Sequence, residues 1–446
     1  MHPDVTRQIL EDHNPWWSDS QARRATSYPA RRDLHARLVE YLGLRGGRRA
    51  LLVVGPRQVG KTVLLLQLAD QLLSDGWPPG NLTYFDFSDD RLIEAISPRQ
   101  IVDLTPVGVS PERPRLFLLD EISRAIKWGA WLKQAVDRGQ DRFIVTDSAA
   151  SVLRGEGSES GQGRWEEFRL EGLSFAEFLH LIAIPGESSQ DTLRRVPNAV
   201  ERYLAVGGFP EHALSADYYQ VRERIRTDIA DRAIRRDLLR LGVDVERLRA
   251  LFVYLVQDSG AILNAAIRSR DIGADPRSVA HWVTLLEDTN LISRLQRHTG
   301  SAAVRLRSQP RIYASDHGLI AAFTPGGSLE RGHNTRGRAI EAVVNRHLRE
   351  VARNSQAELS FFRQNDDLEA DFVLDFGGKC TVIEVTASSD PGARKLSRLV
   401  RVGESLKTTR LVMIHGGMVD APKAPVTSIS LPRFLSEPSL ILETAK

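Results

Sequence analysis

One octapeptide constrains this 446-residue chain more than any other feature: Gly55-Pro56-Arg57-Gln58-Val59-Gly60-Lys61-Thr62 fits G-x-x-x-x-G-K-[ST] at every fixed position. Each residue type answers a chemical need. Glycine at 60 lets the backbone curl so that successive N–H groups converge on phosphate oxygens. The Lys61 ammonium reaches the β and γ oxygens, and the Thr62 hydroxyl ligates Mg²⁺. A helix opening at Thr62 adds its positive N-terminal end. Such a loop must leave a strand and enter a helix. Ala50 to Val54 is short and fully apolar, and Thr62 to Leu73 has amphipathic spacing. The expected ligands are ATP and Mg²⁺, with the whole segment from Gly55 to Thr62 as the cradle.

Three further apolar runs read as strands: Leu82 to Phe87, Leu116 to Asp120 and Phe143 to Thr146. None alternates with polar residues, and helical patterns separate them. That combination predicts an α/β fold, a parallel sheet with helices on both faces. The run Leu116-Phe117-Leu118-Leu119 ends in Asp120-Glu121. Asp120 is expected in the Mg²⁺ shell, and Glu121 is expected to orient and polarise the attacking water. A strand capped by two solvated carboxylates is the rival reading, and the phosphate loop upstream favours the catalytic one. After the next strand, Thr146, Asp147 and Ser148 are all candidates for sensing the γ-phosphate. Arg154 and Arg164 bracket the glycine-rich loop 155–163, and each is a candidate for neutralising transition-state charge, in cis or across a subunit interface.

Composition narrows the class. With 42% hydrophobic and 26% charged residues the chain is globular, and its length calls for more than one core. The formal charge of +3 invites a nucleic-acid reading. However, the 60 basic residues include only eight lysines, and the 52 arginines are spread among acids, as in Arg235-Arg236-Asp237. A mixed, solvated surface accounts for that pattern. The single cysteine, Cys380, excludes an internal disulfide and a zinc ribbon, and its apolar neighbours mark it as a core residue. No signal-peptide pattern opens the chain, and no apolar run approaches the ~20 residues of a membrane span, so a cytoplasmic protein without a membrane partner is expected.

Beyond the glycine-rich loop, helical patterns run from about Ser174 to Leu241, interrupted at Gly207-Gly208-Phe209-Pro210. Residues 261–295 suit a helix-turn-helix: a short helix, a turn at Gly273-Ala274-Asp275-Pro276, then a helix with Val279, Trp282, Leu285 and Leu286 on one face. Arg277, Ser278 and His281 would project from it toward a DNA groove, although such modules also serve as internal lids. A further helix from Ala339 to Val351 precedes strand patterns at 359–363, 370–376, 381–386 and 410–414.

In this order, NPWW at 14–17, GPRQVGKT at 55–62, FLLDEIS at 117–123, the Gly163-Arg164 pair before LEGLSFAEFL at 170–179, GGFPE at 207–211, YASDHGL at 313–319 and LEADFVL at 368–374 give the chain its family likeness. It resembles prokaryotic AAA-type ATPases that carry a C-terminal restriction-endonuclease-like, PD-(D/E)XK domain. One departure stands at 146–151, TDSAAS, where that family shows a Gly-Ser pair. The resemblance implies an N-terminal extension over 1–35, an ATPase domain over 36–173, a helical lid over 174–250, a winged-helix-like domain over 251–325 and a nuclease-like α/β domain over 326–446.

For that last domain, the resemblance implies a second metal site made of Glu341, Asp371 and Glu384, with a lysine two residues after the last acid. Thr386 stands there instead, and threonine supplies no fixed positive charge to a pentacovalent phosphate. Unless Lys379 or Lys395 takes that role, the domain is expected to be catalytically degenerate. Three functions follow as expectations: an ATP-hydrolysing switch coupled to a nuclease-like effector, an ATP-fuelled DNA-processing nuclease, and a nucleotide-dependent regulator or scaffold with little turnover. DNA, a protein partner and a second copy of the chain are the candidate partners.

Overall fold

The computed structural model describes residues 3–23, 30–43, 49–105, 110, 113–148, 163–183, 188–195, 198–238, 242–327, 329, 334–365, 367–420 and 424–443. Two compact units emerge, residues 1–171 with 288–290, and the remainder.

The first unit is built on five parallel strands: β1 (Ala50–Val54), β2 (Leu82–Asp86), β3 (Arg115–Asp120), β4 (Asp141–Asp147) and β5 (Trp165–Arg169), ordered β2-β3-β4-β1-β5. The lack of alternation in β1 has a direct cause. Leu51 and Val53 enter one apolar core, whereas Ala50, Leu52 and Val54 enter the other. Helices α2 (Asp33–Gly43) and α3 (Lys61–Ser74) cover the first face; α1 (Pro3–His13) and α5 (Trp128–Arg138) cover the second, with α4 (Pro98–Leu104) beside them. Both faces are therefore dry, as a parallel sheet requires.

The N-terminal segment, polar and irregular as a sequence, forms part of this unit. Asn14 uses its side-chain amide as a strand would: Nδ2 donates to Tyr84 O at 2.8 Å, and Oδ1 accepts the Tyr84 N–H at 2.6 Å. The indoles of Trp16 and Trp17 both donate to Leu82 O at 3.0 Å. Since β2 is an edge strand, the NPWW segment covers backbone groups that would otherwise face solvent or another chain.

The second unit holds a continuous apolar core that runs from Leu173 to Ile441. Its helices include Ala265–Asp271 and Pro276–Asp288, and the buried Val279, Trp282, Leu285 and Leu286 lie on the expected face. Arg277 and His281 are exposed, and Ser278 is half-buried. A hairpin, β6 (Ile292–Leu295) with β7 (Arg311–Ala314), follows them. The C-terminal sheet has the order β12-β11-β10-β9-β8, formed by β8 (Glu358–Asn365), β9 (Leu368–Phe376), β10 (Lys379–Thr386), β11 (Leu411–His415) and β12 (Thr427–Ser430). Its β8–β10 strands are antiparallel and β10–β12 parallel, with the helix Asn334–Ser355 contributing to the core.

The GGFPE and YASDHGL segments meet in this unit. Asp316 accepts the Gly208 and Gly318 N–H groups at 2.9 and 2.8 Å, and a Cβ on Gly208 would lie 2.7 Å from that carboxylate. Backbone approach, not flexibility, is what glycine provides here.

Candidate functional site

The phosphate loop leaves the buried end of β1 at Gly55, where a Cβ would meet Leu170 O at 2.1 Å. Gln58 and Gly60 take φ of 59° and 96°, left-handed conformations that aim successive N–H groups into one concavity. Arg32 braces the loop: its Nη1 donates to Val59 O at 2.9 Å and its Nη2 to Glu171 O at 2.7 Å. The N-cap of α3 is Gly60, which has no side chain with which to cap the first turn. Its leading amides therefore remain to serve phosphate oxygens.

Strand order brings acids to the same end of the sheet. Asp86 and Asp120 are partners in register at the ends of β2 and β3, and Asp147 is level with Val54. Thr62 Oγ1 donates to Asp120 Oδ2 at 2.5 Å, and Tyr84 OH lies 3.3 Å from the same oxygen. Thr146 Oγ1 donates to Asp120 Oδ1 and accepts the Glu121 N–H at 3.2 Å. Asp147 Oδ2 accepts the Ser123 N–H at 2.9 Å. Ser148 occupies the most informative place. Its hydroxyl accepts from Lys61 Nζ at 2.8 Å and donates to Glu121 Oε1 at 2.8 Å, so one side chain joins the loop lysine to the strand-end glutamate. Lys61 Nζ also donates to Gly55 O and Pro56 O, both at 2.9 Å. Glu121 itself sits at φ 51°, ψ 49°, a conformation that costs a non-glycine residue about 1–2 kcal/mol.

Electrostatics follow from this crowding. Burial, then the neighbouring Asp86 charge, pushes the Asp120 carboxyl up to about 6, against the hydrogen bonds from Thr146 and Thr62. Burial lowers the Lys61 ammonium, while Glu121, Asp120 and Asp147 pull it back up. A carboxylate only 1% exposed, next to a threonine hydroxyl, offers the hard oxygen donors Mg²⁺ prefers. Thr62 and Asp120 thus fit the metal, and Asp86 adds an acid the sequence reading did not include. Nothing in the linear sequence marks Asp86, because its relevance depends on β2 lying beside β3.

The arginines fare differently. Arg164 O accepts from Ala50 N, which fixes Arg164 at the start of β1, five residues from the loop, roughly 15 Å along the strand. Its Nε pairs with Asp137 at 2.7 Å. The expected charge-neutralising role in cis is therefore corrected: Arg164 is at the wrong end of its own sheet. Arg169 is level with Val54 at the loop end and pairs with Glu167 at 3.1 Å. Arg154 lies outside the described residues.

In the second unit, Glu341, Asp371 and Glu384 do converge, joined by Glu369. Arg311, 5% exposed, reaches into them: Nη1 is 3.4 Å from Glu341 Oε1 and 3.3 Å from Asp371 Oδ1, and Nη2 pairs with Glu369. Arg398 pairs with Glu384, whose Oε2 is buried without a partner. Lys395, from the helix Gly392–Ser405, donates to Val385 O at 3.1 Å; Lys379 is exposed at the start of β10. Burial and the Asp371 charge raise both Glu341 and Glu384. The donors suit a divalent cation in kind, but the Arg311 guanidinium fills the space between Glu341 and Asp371. The implied metal does not fit while Arg311 stays.

Among the described residues, no helix is long and apolar enough to cross a membrane. Residues 47–179 match a family described as AAA domain. Residues 197–330 and 336–434 match two families described as domains of unknown function, DUF8612 and DUF4143. Uncharacterized proteins of Mycobacterium tuberculosis and Mycobacterium bovis are each 26% identical over 404 residues, covering 87% of this chain and 80% of theirs. An uncharacterized protein of Haemophilus influenzae is 24% identical over 275 residues, 60% of this chain and 67% of its own. The Aeropyrum pernix ORC2 protein, solved in ADPNP–ADP complexes, aligns at a TM-score of 0.39 and 12% identity over 76% of this chain and 99% of that one. The segment 47–179, which carries the phosphate loop on a five-stranded parallel sheet, is thus similar to AAA-type P-loop domains.

Proposed function

We propose that the chain binds ATP with Mg²⁺ at residues 55–62, hydrolyses it, and works as a nucleotide-driven switch for its C-terminal unit. The Ser148 bridge between Lys61 and Glu121 carries this reading. When Lys61 turns to the β and γ oxygens it gives up its bond to Ser148; the Glu121 carboxylate is freed to accept a proton from water once the Ser148 hydroxyl also turns, toward the γ-phosphate. Thr62 and Asp120 would hold Mg²⁺, which spreads the charge on the leaving phosphates. Ser148 is the sensor this reading prefers over Thr146, which is bonded to Asp120 and Glu121, and over Asp147, which accepts the Ser123 N–H.

The test is phosphate release that requires Mg²⁺ and falls by roughly two orders of magnitude in Asp120→Asn. Stability supplies the control. The Asp120 carboxyl titrates higher in the folded chain than its ordinary value, about 6 against 3.8. Folding therefore favours its protonated form. That contribution is present below the unfolded value and is lost as pH rises through about 6. Asn has no such loss. Relative to the parent, nucleotide-free Asp120→Asn should gain stability from pH 5 to pH 8, by about 1–2 kcal/mol. Unchanged turnover in a folded variant would remove Asp120 from the site.

A second reading, a metal-dependent nuclease, draws on Lys395 and on the unpartnered Glu384 Oε2. The Arg311 guanidinium weighs against it. Plasmid DNA incubated with the protein and Mg²⁺ or Mn²⁺ should stay intact. Cleavage that disappears in Asp371→Ala would install the nuclease reading instead, with DNA as the partner that the exposed Arg277 and His281 also suit.

A further inference from the structure

Away from both acidic centres, three donors of different kinds converge at the far end of the C-terminal sheet. Asp375 and Cys380 are cross-strand partners in the β9–β10 hairpin, which turns through Gly377 and Gly378. Asp375 Oδ1 accepts the Gly378 N–H at 2.6 Å, which fixes the carboxylate at the turn. His298 arrives from a distant part of the chain. Residues 296–298 run beside β8, with Phe361 N donating to Gln296 O at 3.0 Å and His298 N to Phe361 O at 2.6 Å. One ligand atom from each of His298, Asp375 and Cys380 lies within 4.8 Å of the other two.

The arrangement separates two chemistries. In a cysteine–histidine–aspartate relay the carboxylate holds the ring nitrogen remote from the thiol, and the thiol pKa is depressed. Here Ser360 Oγ holds that nitrogen, 3.3 Å from His298 Nδ1, and itself lies 3.4 Å from Val373 O. A serine hydroxyl donating to Val373 O accepts Nδ1–H, which leaves the Nε2 lone pair toward Cys380. Asp375 faces the sulfur directly and not the far ring nitrogen, so the carboxylate does not complete a relay through His298. The site is poor for nucleophilic attack. It is well formed for coordination: His298 Nε2 is 4.0 Å from Cys380 Sγ, against about 3.6 Å for sulfur and nitrogen sharing a tetrahedral Zn²⁺.

We propose that Cys380, His298 and Asp375 form a site for a thiophilic divalent cation, Zn²⁺ by donor set, with water as a fourth ligand and Ser360 as the positioning residue of the imidazole. Binding converts the thiol to a metal-bound thiolate and releases its proton to solvent. The site would tie the 296–298 segment to the β9–β10 hairpin.

The chain's single cysteine makes the test unambiguous. Untagged, metal-stripped, nucleotide-free protein is titrated with Co²⁺. One equivalent should produce thiolate-to-cobalt charge-transfer absorption and the intense d–d bands of a tetrahedral site, and Zn²⁺ should displace it. Co²⁺ on the oxygen donors of the ATP site gives no thiolate band. Cys380→Ser should abolish the band, His298→Ala and Asp375→Asn should weaken binding at least ~10-fold, and Ser360→Ala ~10–100-fold. Circular dichroism keeps each variant comparable to the parent. No thiolate band in the folded parent, or a band whose affinity ignores both His298→Ala and Asp375→Asn, would overturn the proposal.

Discussion

Glu121→Gln is expected to bind ATP within a few-fold of the parent affinity and to release phosphate at least ~100-fold more slowly. The substitution is nearly isosteric. Glutamine Oε1 still accepts the Ser148 hydroxyl, which lies 2.8 Å from Glu121 Oε1 in the parent, and its backbone N–H still reaches Thr146 Oγ1. What changes is the carboxylate's charge, one of three that face Lys61, and its proton affinity. An amide cannot take a proton from water, and general-base assistance is worth ~10²–10⁴ in rate. Single-turnover release with excess protein separates chemistry from product dissociation, and a fluorescent ATP analogue reports binding. A variant that retains full turnover would shift the chain to the third reading, a nucleotide-dependent regulator whose slow hydrolysis needs no base.

This prediction rests on residues the sequence exposes because their chemistry is local. The phosphate loop is eight consecutive positions, and Asp120-Glu121 closes a strand whose apolar run is unmistakable. β1 matches the expected bounds, and β2, β3 and β4 differ by two residues or fewer at each end. What escaped was set by neighbours in space. β5 reads Trp-Glu-Glu-Phe-Arg, and only Phe168 is buried, because an edge strand covers fewer apolar residues. Asp86 matters only once β2 lies beside β3. The role of the NPWW segment depends on β2 being an edge. In the C-terminal unit, Arg311 lies 60 residues from Asp371 in sequence, and no spacing rule links a hairpin arginine to those acids. Cys380 has its apolar run and its burial, as expected, yet the imidazole facing it comes from 82 positions away. Arg164 shows the converse case. Proximity to a glycine-rich loop suggested a phosphate contact, and strand direction placed it at the opposite end of its own sheet, which bears on the contact in cis and not on one across a subunit interface.

Lys61→Ala should cut ATP affinity at least ~100-fold, the largest binding loss of any single change in the loop. Two effects add. The variant loses the ammonium that answers the β and γ charge, an interaction strengthened because Lys61 is buried. It also leaves Asp120, Glu121 and Asp147, the acids that hold the lysine charged, without their shared cation. Triphosphate then approaches a concavity whose net charge has moved by one unit toward repulsion. Retained amides at Gly60 and the start of α3 account for whatever affinity survives. Thermal unfolding provides a second readout. Saturating ATP with Mg²⁺ should raise the parent midpoint by mass action, while Lys61→Ala at the same concentrations should stay near its nucleotide-free midpoint. Equal shifts in the two proteins would mean that the triphosphate is held elsewhere, and the roles given to Thr62, Asp120 and Ser148 would fall with it.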